Sequence, residues 1–123
     1  MTPEEKKLLL VDLCGRLPYG VMVNINGKID VLTSVCNDDG YYFNFLEPDN
    51  SEGYSIENIK PYLFPLSSMT EEQKKEEYDI CKEYIIGYES NLIDFYNRNH
   101  IDYRVPGLIP MGLANDATNL NIY

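Results

Sequence analysis

Asn26-Gly27 lies between two runs whose apolar residues recur at every second position, and this pattern limits the possible folds more than any other in the chain. Before it, Val21, Val23 and Ile25 alternate with Gly20, Met22 and Asn24; after it, Ile29, Val31 and Val35 alternate with Asp30, Leu32 and Ser34. Asparagine and glycine tolerate the left-handed backbone of a tight turn, so the pair predicts a β-hairpin. A two-residue turn would set Val23 opposite Asp30 and mix the faces. A three-residue loop over Ile25-Asn26-Gly27 sets Val23 opposite Ile29 and Val21 opposite Val31, with Gly27 in a bulge. The second register is the one predicted.

The period-two region continues. Asn37-Asp38-Asp39-Gly40 reads as a turn, and "YYFNFLEP" as a third strand with Tyr41, Phe43 and Phe45 on one face, ended by Pro48. "DNSEGYS" reads as a loop, with a short strand around Tyr54 to Ile56. Pro61 and Pro65 exclude a long helix or a central strand over residues 56–69, leaving one helical turn and an extended connector or edge strand. The β region thus covers 19–66.

Helical spacing flanks it. Residues 2–16 form a helix capped by Thr2, with Pro3 at the first position, Glu5 completing a capping box, and Gly15 and Pro18 closing it. Residues 70–99 read as one long helix with a second capping box from Thr70 to Gln73. Tyr78, Cys81, Ile85, Tyr88, Leu92 and Phe95 make one stripe, expected to cover the sheet rather than to form a coiled coil. Gly87 marks a place for a kink. Residues 102–123 lack a period and are expected to dock irregularly on the body.

The chain of 123 residues is read as a single α+β domain: an N-terminal helix, a small antiparallel β-sheet or SH3-like barrel, one long helix and a docked tail. Lys and Arg total 10 against 20 Asp and Glu, giving a net charge of −10. That disfavours direct nucleic-acid binding, which needs a basic footprint, and docking on an anionic membrane. No stretch is apolar enough to span a bilayer, and "MTPEEKKLLL" does not read as a signal peptide. Cys14, Cys36 and Cys81 are odd in number and widely spaced, so they read as buried thiols in a reducing compartment, with no metal site.

For chemistry, "NRNHIDYRVPGL" holds the only histidine, His100, near Asp102 and Arg104. Asp102 could orient His100 as a general base or pair with Arg104. The simpler reading is a helix exit, with His100 and Arg98 satisfying terminal carbonyls. No nucleophile has a local signature. The EF-hand register about Gly40 fails, because Val35 and Leu46 would stand where acids are needed. No phosphate loop or catalytic motif is present and no cofactor is expected.

Three blocks, "LLLVDLCGRLPYGVMV" (8–23), "IENIKPYLFPLSSMTEE" (56–72) and "NHIDYRVPGLIPMGLA" (99–114), together resemble a group of small uncharacterised proteins encoded by gut Bacteroides and their bacteriophages or prophages. The chain departs from that pattern where Val105-Pro106 intervene between arginine and glycine, and in its final residues. The resemblance implies a cytoplasmic bacterial or phage setting, and it carries no activity to any residue.

The expected function is a non-enzymatic, protein-binding accessory module, monomeric or weakly homo-oligomeric. Its candidate binding residues are Tyr41, Tyr42, Tyr54, Tyr62 and Phe64 of the sheet and the 60–66 loop, with His100 and Arg104. The alternatives are an acidic inhibitor mimicking nucleic acid, and an enzyme or small-ligand binder built on His100.

Overall fold

The computed structural model describes residues 1–37, 41–47, 55–82 and 88–123. The expected turn at 38–40, the strand residue Tyr54, and Tyr84, Ile85 and Gly87 of the expected long helix lie outside these.

Helix α1 runs Pro3–Arg16. Its capping box forms as the sequence requires: Glu5 N–H donates to Thr2 Oγ1 at 3.1 Å, and Thr2 N–H donates to the Glu5 carboxylate at 3.0 Å. Gly15 does not end the helix. A β-carbon there would lie 3.0 Å from Asn97 Nδ2, so this glycine lets a second helix approach. Termination falls to a single 3₁₀ turn, Leu17–Tyr19, closed by Gly20 in the left-handed region at φ 69°.

Strands β1 (Met22–Ile25), β2 (Lys28–Asn37) and β3 (Tyr41–Phe45) follow. The hairpin register corrects the expectation. Asn26 (φ 50°) and Gly27 (φ 90°) form a two-residue turn, and Val23 stands opposite Asp30. Asp30 is tolerated on the buried face because its carboxylate accepts the N–H groups of Val31 and Glu47 at 2.7 and 3.1 Å. Ile29, assigned to the core by the other register, is half exposed. A register shift between Leu32 and Ser34 then exchanges the faces, so Leu32 pairs Phe45 and Val35 pairs Phe43. Phe43 and Phe45 are buried as expected, while Tyr41 is exposed.

Ile56–Asn58 is the expected helical turn, not a strand, and β4 covers Ile59–Pro65. The sheet order is β3-β2-β1-β4-β5, so β4 is central despite its two prolines. Its pairing is staggered. Residues Ile59–Pro61 pair β1, and Tyr62–Pro65 pair the strands on the other side. Each part of β4 is therefore locally an edge, which is where a residue without an N–H fits.

Helices α2 (Glu71–Lys82) and α3 (Tyr88–Arg98) replace the single long helix. Arg98 Nη2 lies 2.9 Å from Glu76 Oε1, and the Tyr96 hydroxyl donates to Glu77 at 2.6 Å. On one continuous helix these partners would be roughly 30 Å apart. The second capping box is present, with Gln73 N–H on Thr70 Oγ1 at 3.1 Å. The expected stripe fails in its first part, where Tyr78 and Cys81 are exposed and α2 buries no residue, whereas Phe95 at its end is fully buried.

After α3 the chain enters β5 (Ile101–Asp102) and later β6 (Asn115–Asp116), both parallel to β4. The sheet is therefore mixed, not antiparallel; α2 and α3 supply the crossover that parallel pairing needs. Among the described residues the pairings form an open path rather than a closed barrel. The fold class is α+β.

Among the described residues α2 and α3 add no side chain to the main core cluster, although Phe95 of α3 is fully buried. Leu9 and Leu13 of α1 pack with Val21, Val23, Ile25, Leu32, Phe43, Phe45, Ile59 and Leu63, and the tail adds Leu108, Leu113 and Ala114. Full burial of each valine, leucine, isoleucine or phenylalanine side chain stabilises by about 1.5–3 kcal/mol relative to exposure. The tail is docked, as expected, and Ala117 N–H bonds Leu63 O at 2.8 Å.

Candidate binding surface

The structure separates the residues singled out by the sequence. Tyr41 and Tyr42 are neighbours on β3, exposed by 52% and 56%. Tyr62 is buried in β4, with its hydroxyl accepting from Asn24 Nδ2 at 3.1 Å, so it is a core residue and not part of a surface loop. Phe64 meets the ring of Tyr123 at 5.8 Å between centroids. Tyr54 lies outside the described residues.

His100 ends α3 in the left-handed region at φ 57°, the position glycine usually takes after a helix. Its ring stacks on Tyr123 at 3.7 Å with planes 14° apart. Burial, and secondarily the charge of Arg16, lower its pKa to about 4. The Tyr123 hydroxyl accepts from Met22 N–H at 2.9 Å and donates to Tyr62 O at 2.7 Å, tying β1 to β4; burial pushes its pKa up to about 12. The expected carbonyl-capping role is not what forms: Arg98 is held by Glu76, and the buried Nδ1 of His100 has no hydrogen-bond partner among the described residues.

Nor do Asp102 and His100 pair. Both carboxylate oxygens of Asp102 accept backbone N–H groups, from Leu108 and Ile109, each at 2.9 Å. Gly107 makes room for this clamp: a β-carbon there would lie 2.5 Å from Asp102 Oδ2. Arg104 turns instead to Asp12.

Asp12 is the centre of a polar knot that the sequence reading missed. Its side chain and that of Arg16 are fully buried, with Arg16 Nε 2.8 Å from Asp12 Oδ2. Arg16 Nη2 also donates to Ile101 O at 2.7 Å, and Arg104 binds the same carboxylate from the tail. Arg104 lies over the Tyr103 ring at 4.8 Å, and Tyr103 stacks on Tyr96 at 5.0 Å. The signal was the spacing of Leu9, Asp12, Leu13 and Arg16: an acid and a base, four residues apart, inside the apolar stripe.

On the α1 side of the sheet, an apolar groove of about 500 Å³ opens between the start of α1 and β3. Leu10, Tyr41, Phe43 and Ile56 supply its apolar lining, and Lys6 and Lys7 its charges. Lys6 is held by Glu57 at 3.0 Å, which keeps the Glu57 carboxyl below its usual range. Cys14, Cys36 and Cys81 are free and exposed, correcting the expectation of buried thiols. Among the described residues no group of three or more His, Cys, Asp or Glu is placed to hold a metal, and no helix is long and apolar enough to cross a membrane.

The chain matches no protein-family model, no curated protein and no solved structure.

Proposed function

We propose that this chain is a non-enzymatic accessory protein that binds another protein, docking it on β3 and the groove beside it. Its setting is the cytoplasm of a bacterium, on a phage or mobile element, and it acts as a monomer or weak homo-oligomer without touching nucleic acid directly. The observation that carries the reading is the pair Tyr41 and Tyr42, each more than half exposed on β3, the end strand of the sheet among the described residues, with Tyr41 also lining an apolar groove. Tyrosine supplies large contact area at little conformational cost, which favours it at interfaces. The net charge of −10 supports a partner other than nucleic acid.

Affinity capture from the source bacterium, with wild type and a Tyr41→Ala/Tyr42→Ala variant in parallel, tests it. One protein retained by wild type through rising salt and lost from the double variant is the expected result. An identical set of retained proteins would overturn it. Release of a basic protein as salt rises would favour an acidic inhibitor instead.

A further inference from the structure

Among the described residues β3 pairs β2 on one side and no strand on the other. Its five residues, Tyr41–Phe45, include no charge and no proline, and Leu46 follows it 68% exposed. Natural sheet edges are commonly guarded by lysine, proline or a covering segment, because an unguarded edge invites another strand. The alternation along β3 is fixed: Phe43 and Phe45 point to the core, Tyr42 and Asn44 to the other face. A strand added beside β3 must share that alternation, so every second side chain would lie alongside Phe43 and over the groove.

The groove also selects charge. Both charged side chains lining it are lysines, in a chain of net charge −10. Lys6 is committed to Glu57, whereas Lys7 has no acidic partner among the described residues.

We propose that the β3 edge and its groove take an extended peptide segment of the partner, added as a strand, with apolar side chains in the groove and an Asp or Glu against Lys7. The inference rests on the protein-binding reading above and names the chemistry of the partner. Main-chain hydrogen bonds supply affinity in this mode, and alternate side chains supply specificity.

The test is a random decapeptide display library panned on the full chain. The best peptide is then synthesised and measured against wild type, Lys7→Glu and Tyr42→Lys, each checked for unchanged thermal unfolding. The expected peptides alternate apolar residues and carry an acid. Lys7→Glu should weaken them about tenfold, the size of one charge-assisted hydrogen bond. N-methylation of alternate peptide amides should weaken them at least as much, on one of its two registers. No enrichment, no acid preference, or equal binding to Lys7→Glu would overturn the proposal. So would a concentration-dependent dimer dissolved by Tyr42→Lys, which would mean that a second copy holds the edge. A partner captured through Tyr41 and Tyr42 but indifferent to Lys7 and to N-methylation would keep the binding-module reading and remove only this one.

Discussion

Tyr123, the last residue, lays its ring on His100 at 3.7 Å and so fastens the tail to the exit of α3. The stack leaves His100 half-buried and close to Arg16, so its imidazole is neutral down to a pKa of about 4, against 6.5 in the open.

Between those values the unfolded chain binds a proton that the folded chain does not. The contribution of His100 is therefore fully present above pH 6.5 and is lost as pH falls toward 4, after which it levels off. Urea midpoints measured from pH 7 to 4 should show a steeper decline for wild type than for His100→Asn. Asparagine keeps the left-handed backbone but cannot titrate. Equal slopes would contradict the assignment.

Asp12 satisfies two arginines, one of them wholly buried. Asp12→Ala should lower stability by about 3–5 kcal/mol, because it leaves a buried guanidinium without its counter-charge. Arg104→Ala should cost less, since Arg16 still holds Asp12 and Arg104 is partly exposed. Denaturant titration that ranks the two the other way would refute this reading of the knot.

Gly107 and Asp102 predict a steric effect. The smallest side chain at 107 would collide with the carboxylate that clamps Leu108 and Ile109. Gly107→Ala should destabilise by roughly 1–3 kcal/mol by displacing that clamp. Amide exchange at Leu108 and Ile109 should accelerate with it, and unchanged protection would count against the mechanism.

Tyr62 and Tyr42 divide the tyrosines into core and surface. Tyr62→Ala should cost about 3–5 kcal/mol, as for other large buried rings, whereas Tyr42→Ala should stay within about 0.5 kcal/mol. Thermal unfolding of the two variants checks the ranking.

Much of the fold was legible locally. Both capping boxes form where Thr2-Glu5 and Thr70-Gln73 placed them, and Asn26-Gly27 does reverse the chain. The failures were tertiary. The hairpin register was not legible because an aspartate faces inward only with partners for its carboxylate, and those of Asp30, the N–H groups of Val31 and Glu47, leave no pattern in the sequence. The central place of β4 was hidden by its prolines, because the staggered pairing that accommodates them is a property of its neighbours. β5 and β6 have two residues each, too short to show any period. The expected long helix failed because its apolar stripe crossed two helices that lie side by side. Of the candidate site, Tyr41 and Tyr42 were found from composition, but Leu10 and Ile56, 46 positions apart in the sequence, meet only in the folded groove.

The most direct test of the account is amide hydrogen exchange of the full chain with and without its captured partner. Docking on β3 and the groove predicts slowed exchange over 41–46 and over 3–10. Protection confined to other surfaces, with β3 exchanging as in the free protein, would contradict it.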